Sequence, residues 1–445
     1  MKDTIKLSDH FTYRRLIRFT LPSIAMMIFT SIYSVVDGIF VSNFVGETPF
    51  ASLNLIIPFI LIIQALGFTL GPGGSALVAV MLGRGERKKA NEMFSLVIYS
   101  LIVLGAVFTV AGILLAEPVA RLLGADESML GYCVEYARIC FLGTIPVMLQ
   151  YAFQSFFITA EKPKLGLYVT LAAGVSNMLL DWILVGVLKW GLKGAAVATV
   201  TSMVVGGGIP VIYFFRKNSS LLRLGKTRWY GRELLRAAGN GASEFVTDIS
   251  MSLVSMLYNF QLMKYAGQSG VAAYGIIMYT NFLFIGIFFG YAMGVGPVIG
   301  YHYGAGNEDE LKNVFKRSIR MIVIAGFVIT VVSALTASVQ ALIFASQNEV
   351  LLSMAILAIR IYSINYLFCG INVFGSSFFT ALNNGLVSAV LSSVRAVVFQ
   401  VIFVFVLPAF FGLTGIWISI VAAELCSLAV TLYCLIHFRK RYKYI

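Results

Sequence analysis

Residues of this 445-residue chain recur at a constant offset of 221 positions. Gly46 returns as Gly267, Ala51 as Ala272, Gly73 as Gly294 and Phe94 as Phe315. Gly83 and Gly85 return as Gly304 and Gly306, Thr159-Ala160 as Thr380-Ala381, and Gly191 and Gly194 as Gly412 and Gly415. None of these pairs needs a gap, although Arg138 meets Arg360 one residue out of step. The matched glycines sit inside long apolar runs or at their ends, so the repeated unit is a bundle of such runs.

The runs decide the class. The chain is 59% apolar and 12% charged, where soluble domains carry about 25% charged residues. A run of roughly 20 apolar residues spans a bilayer. Twelve such spans are expected, at about 16–42, 52–80, 93–116, 131–160, 165–190, 194–215, 237–262, 272–300, 318–344, 353–380, 385–410 and 414–437. The expected fold is an all-α membrane protein with twelve transmembrane helices in two six-helix lobes. Six spans return each copy to its starting side, so the pseudo-two-fold axis runs along the membrane normal. The N-lobe covers 1–220 and the C-lobe 221–445, joined by a basic linker at about 216–236. Such an architecture is that of a secondary transporter, with its site between or within the copies. One chain supplies both lobes, so a monomer suffices.

A formal net charge of +13 raises the question of nucleic acid. The placement of the charge answers it. With the N-terminus inside, only Arg121, Lys189, Lys193 and Lys264 fall in outer loops, and Arg138, Arg360 and Arg395 fall within spans. All the other Lys and Arg lie on the inner side, as the positive-inside rule requires, so both termini are expected in the cytoplasm of an inner-membrane protein. The first span lacks a small-residue cleavage site and reads as a retained helix. Cys133, Cys140, Cys369, Cys426 and Cys434 have no metal-ligand spacing and read as buried free thiols. No phosphate-binding loop, paired-His motif or nucleophile elbow occurs, which excludes ATP hydrolysis and the common hydrolases and leaves an ion gradient as the energy source. No enzyme and no cofactor are expected.

The linker carries seven basic residues, Arg216 to Arg236, against Glu233 alone, and can rest on anionic lipid. Its segment 225–236 is expected to form a short interfacial helix presenting Trp229 and Tyr230. Gly71-Pro72-Gly73-Gly74 and Gly294-Val295-Gly296-Pro297 interrupt the second and eighth spans. They act either as breaks or as close helix contacts through small residues. Pro22, early in the first span, is a candidate bend that works during transport.

Ionisable side chains within a span cost about 2.5–3.5 kcal/mol on insertion scales, so their positions are the main functional signal. Asp181 lies one turn after Asn177 on the same helix face, and Thr199 offers a hydroxyl from the next span. Asp37 and Tyr136 lie at comparable depth, so the five can meet in one pocket of the N-lobe. Two carboxylates in low-dielectric space cannot both ionise cheaply, which suits a proton carrier, and the same oxygens suit Na⁺ at Asp37, Asn177 and Asp181. In the C-lobe, Glu244 and Asp248 share a face of the seventh span, and Arg395 lies near the midplane of the eleventh. By depth, Arg395 pairs with Asp248 or Glu244, as a structural latch or as part of a cation-binding cavity wall. Some of the 35 Phe, 21 Tyr and 16 Met suit aromatic cations through stacking and adaptable walls.

Pro22 with Asp37 in the first helix, the turn Phe44-Val45-Gly46, and a second helix ending Leu82-Gly83-Arg84-Gly85 resemble the MATE (multidrug and toxic compound extrusion) transporters. Asn177, Asp181 and Thr199, joined by Asp37 and Tyr136, fit that family's proton-linked first-lobe network. Glu244 and Asp248 with Arg395 resemble the MepA-like branch. The tenth helix departs from members that place an acidic residue there, offering Asn365 and Asn372 instead. The resemblance implies cation-coupled antiport, H⁺ rather than Na⁺, exporting amphipathic organic cations. Membrane lipid surrounds such a protein. The competing reading, a flippase for lipid-linked precursors, needs several cavity cations for phosphates, and only Arg138, Arg360 and Arg395 are available.

Overall fold

The computed structural model describes residues 5–345 and 348–445, with the side chains of all but 39, 42, 43, 47, 66 and 68. The N half holds α1 (Tyr13–Phe44), α2 (Glu47–Gly83), α3 (Arg87–Leu122), α4 (Glu127–Leu142), α5 (Thr144–Thr159), α6 (Pro163–Asp181) and α7 (Gly191–Phe215). The C half holds α8 (Gly231–Gly304), α9 (Glu308–Leu335), α10 (Ala337–Ala345), α11 (Glu349–Ser363), α12 (Tyr366–Ala381), α13 (Gly385–Ser393), α14 (Phe399–His437) and α15 (Arg439–Tyr442). A π-helical turn extends α6 over Trp182–Val187, and another, Val394–Val398, joins α13 to α14.

Eight of the described helices are long and apolar enough to cross a bilayer, and two bent helix pairs add one crossing each. Two of the eight are double. α8 has 74 residues and would measure about 110 Å if straight, far more than a bilayer's thickness. It breaks at Gly267 (φ 61°, ψ −150°), and the run from α13 through α14 breaks at Gly412 (φ 56°, ψ −138°). Counted in this way the chain makes the twelve crossings expected. Gly267 and Gly412 are the repeat partners of Gly46 (φ 93°), which precedes α2, and Gly191 (φ 58°), which begins α7. A side chain disfavours all four conformations, so the glycine repeat in the sequence is a repeat of turns.

Bends repeat as well. α4 meets α5 at 52°, and α11 meets α12 at 49°. Each half packs around the same aromatic unit. Phe94, Phe153 and Phe157 recur as Phe315, Phe374 and Phe378, with the first two rings of each set 6.3 and 6.1 Å apart. Phe214 completes the N-half cluster. In the C half the returning tail supplies Tyr444, 4.8 Å from Phe315 and from Phe378.

The linker differs from expectation. No separate helix forms before Gly231, where α8 begins. The backbone N–H groups of Arg223 and Gly225 donate to Asn91 Oδ1 and Ser95 Oγ of α3, and the Tyr230 hydroxyl donates to Glu92. These bonds hold the segment extended along α3 with Leu222 and Leu224 buried, while Trp229 is exposed. The Gly-Pro clusters do not break α2 or α8 either. Their glycines are contact points: a Cβ on Gly71 would lie 2.8 Å from Ala152 Cα, and one on Gly73 2.0 Å from the Ala237 carbonyl oxygen. α1 likewise runs unbroken through Pro22.

The two halves meet through α1 and α2 against α8. A Cβ on Gly241 would lie 1.6 Å from the Thr69 carbonyl oxygen, one on Gly83 2.0 Å from that of Tyr301, and one on Gly304 2.2 Å from that of Val80. Backbones approach this closely only at glycine. These contacts lie in the end of the molecule that carries both termini, and they seal it. The N-terminal arm crosses the seal. The Leu7 N–H donates to Glu161 Oε1 beyond α5, and the Phe11 N–H donates to Glu310 Oε1 on α9. Among the cysteines, Cys133, Cys140 and Cys369 are buried and Cys426 and Cys434 are half-buried; all are free.

Candidate functional site

In the N half, close packing of α1 on α6 builds a pocket. Gly174 accepts the rings of Phe29 and Tyr33 so tightly that a Cβ there would lie 2.4 Å from Phe29 Cε1. One turn further along each helix, Asp37 meets Asn177 and Asp181. The Asp37 carboxyl lies beside both side chains. Asp181 is fully buried and stands where the π-helical turn begins. Such turns recur at functional sites because they re-aim neighbouring side chains. Tyr136 of α4, buried, stands on the side of both carboxylates. Among the described residues no donor reaches either Asp181 oxygen, Asp37 Oδ1 or Asn177 Oδ1. Thr199 of α7 presents a buried hydroxyl oxygen, also without a hydrogen bond, so it is joined to neither carboxylate. A pair of buried carboxyl groups in mutual contact and without donors needs a shared cation or proton.

Above the seal, the halves enclose a central cavity of about 260 Å³. Glu244 and Asp248 line it from α8, facing Tyr151 and Gln154 of α5, with Met27, Met251 and Met293 and the rings of Phe282 and Phe289 around them. Asp248 Oδ2 is buried without a hydrogen bond among the described residues. The wall is thus largely apolar with an acidic patch, the composition of a small-molecule pocket.

Arg395 does not join that patch. Its Nε lies 3.6 Å from Glu424 Oε1, on the second arm of α14, and no ion pair joins it to Asp248 or Glu244 among the described residues. Depth along the spans does not decide this pairing, because the π-helical turn at Val394–Val398 rotates Arg395 towards α14. Arg395 and Glu424 line a second chamber, about 350 Å³, within the C half. Glu424 is nearly fully buried, its Oε2 accepting from Asn372 Nδ2 at 2.7 Å, and Asn372 Oδ1 accepts from the Thr431 hydroxyl. So the acid missing from the tenth span comes from the twelfth. Glu424 was legible as a carboxylate in mid-span, and its partner Asn372 was already singled out. Tyr258, the repeat partner of Asp37, donates to Gln400 and stacks on Tyr274 at 5.2 Å. The C half therefore carries a different chemistry in the same scaffold. Arg138 and Arg360 are exposed and reach neither chamber.

Comparison with known proteins agrees with this geometry. The MatE family model matches twice, over residues 22–183 and 245–406, once in each half. The chain is 27% identical over 427 residues to the multidrug export protein MepA of Staphylococcus saprophyticus, covering 94% of this chain and 93% of that protein. Solved structures superpose over the whole chain: one of MATE in complex with MaL6 has a TM-score of 0.94 at 22% identity, covering 100% of both chains. Another, an outward-facing conformation of a multidrug resistance MATE family transporter, has 0.92 at 23% identity, covering 98% of both. A family match over both halves, on a twelve-helix scaffold, shows that the chain is a multi-pass membrane transporter, not an enzyme, and belongs to the MatE family.

Proposed function

We propose that this protein exports amphipathic organic cations from the cytoplasm in exchange for protons. The observation that carries the reading is the contact between Asp37 and Asp181. Two neighbouring carboxyl groups cannot both ionise cheaply, and a shared proton relieves their repulsion. Protonation and release at that pair is the coupling step, Asn177 and Tyr136 orient it, and Pro22 is the point at which α1 yields as the pair changes charge. Glu244 and Asp248, with the Met and Phe wall, receive the cationic substrate. With both termini in the cytoplasm, the sealed state is the outward-facing one.

The energetics close. Exporting one positive charge against 100 mV costs about 2.3 kcal/mol, and one returning proton recovers it. The pH gradient then supplies about 1.4 kcal/mol per tenfold ratio for accumulation. Export by the similar MepA protein supports the substrate class. A phosphate-reading flippase is disfavoured because Arg395 alone of the three intraspan arginines lines a chamber, and Glu424 stands against it.

Ethidium efflux from proteoliposomes tests the reading, with ΔpH and Na⁺ gradients imposed separately. Efflux follows ΔpH in the wild type, and Asp37→Asn abolishes it without loss of expression. Wild-type efflux by Asp37→Asn, or efflux driven by Na⁺ alone, refutes it.

A further inference from the structure

An open cavity of about 340 Å³ lies on the terminus-bearing side, where the start of α3 meets the linker. Four basic side chains line it, Arg87, Lys88 and Lys89 from α3 and Arg228 from the linker. Against them stand only Glu86 and Glu92, which leaves two positive charges over. Nearby groups are already engaged: Glu92 accepts from the Tyr230 hydroxyl at 2.5 Å, and Lys89 Nζ lies 3.5 Å from Glu233 of α8. Arg87, Lys88 and Arg228 are exposed and form no ion pair among the described residues. Orientation in the membrane does not explain this placement. The positive-inside rule asks for basic residues on this side, but not for three in the first turn of a helix, where the helix dipole opposes cations. The 221-residue repeat supplies the comparison. Glu86-Arg87-Lys88-Lys89 return as Asn307-Glu308-Asp309-Glu310, at the start of α9. There the first turn is acidic, and Asn307 Oδ1 caps it by accepting from the Glu310 N–H at 3.1 Å. At the start of α3 no side chain forms a cap and no acid enters the first turn. The same turn of the scaffold therefore accepts acids, and the N half holds bases there instead.

We propose that this cavity binds the phosphate of an anionic phospholipid from the adjacent leaflet, with Arg87, Lys88 and Arg228 as the groups that hold it. Charge complementarity fixes the ligand as an anion, and the neighbouring side chains fix its source. Trp229, between Arg228 and Tyr230 in the chain, is 77% exposed, and Leu235, early in α8, is 76% exposed. Cations beside an exposed tryptophan match the headgroup zone of a bilayer, where phosphates lie next to the first acyl carbons. A soluble phosphate would use the cations and leave Trp229 in water. The lipid lies across α3 and the linker, so it ties the junction between the halves to the N half.

Native mass spectrometry of the purified full-length protein tests the site, with phosphatidylglycerol and phosphatidylcholine of the same acyl chains titrated separately in detergent. In the wild type the first phosphatidylglycerol binds about tenfold more tightly than the first phosphatidylcholine, whose choline brings a cation of its own. The triple variant Arg87→Gln/Lys88→Gln/Arg228→Gln brings that ratio to about one. The variant Arg439→Gln/Lys440→Gln/Arg441→Gln removes as much charge from the same side and leaves the ratio unchanged. Excess inorganic phosphate does not displace the lipid. Equal binding of the two lipids by the wild type overturns the proposal, as does a ratio that survives the first triple variant or falls equally in both. Displacement by inorganic phosphate also overturns it and makes the site one for a soluble anion. Should the first triple variant not fold, Lys88→Gln and Arg228→Gln decide singly: each lowers the ratio if the cavity holds the lipid, and an unchanged ratio in both refutes it.

Discussion

Asp181 stands just before one π-helical turn and Arg395 within another, one in each half. Arg395 meets Glu424, and the ion pair between them makes a stability prediction. Removing one member of a buried pair strands the other charge, at about 3–5 kcal/mol, whereas replacing both with apolar groups is near neutral. Glu424→Leu therefore lowers the melting temperature of the purified protein sharply, and adding Arg395→Met restores most of it. Equal melting of Glu424→Leu and wild type would mean that Arg395 has another partner. At this scale the sequence singled out several buried charges, but neither Glu424 nor its pairing with Arg395. Asp37, Asn177 and Asp181 were legible because two sit on one helix face. The Arg395 partner was not, because depth in a span carries no information about which way a helix faces.

Among the elements, the spans were legible because apolar length and the 221-residue repeat agree. What escaped were features set by tertiary contacts. The 52° and 49° bends of the fourth and tenth spans follow from packing within each half, and no proline marks the second. The extended linker and the C-terminal tail owe their paths to partners elsewhere: Leu222 and Leu224 enter one aromatic core, and Tyr444 enters the other. The N-terminal arm is a third such segment, and it has a pH dependence. Burial alone would raise the Glu310 carboxyl, but the Phe11 N–H, the Asn313 amide and His10 outweigh it and hold Glu310 below the usual carboxylate range. A depressed carboxyl contributes stability that is present at neutral pH and lost as pH falls through its folded value. Hydrogen exchange of the Phe11 amide should thus be slow at pH 7, fast below that range, and fast at both in Glu310→Gln. An arm equally protected in acid would show that its apolar contacts alone hold it.

In the whole molecule, two similar halves close on each other through glycines at the terminus-bearing end, and the substrate cavity and the carboxyl pair lie in different places. Glu244 and Asp248 line the cavity between halves, while Asp181, buried, and Asp37, half-buried, lie inside the N half. On the proposed mechanism, substrate and proton communicate through α1, which lines the cavity at Met27 and Ser31 and carries Asp37 less than two turns beyond Ser31. This separation is the central claim: substrate binds at one set of carboxylates and displaces a proton held by another. Proton release on adding ethidium to the purified protein in weakly buffered detergent at pH 7 tests it most directly. The account predicts protons released on binding by the wild type, and binding without release by Asp37→Asn and by Asp181→Asn. Undiminished release in both variants would place the proton at Glu244 and Asp248 and contradict the account.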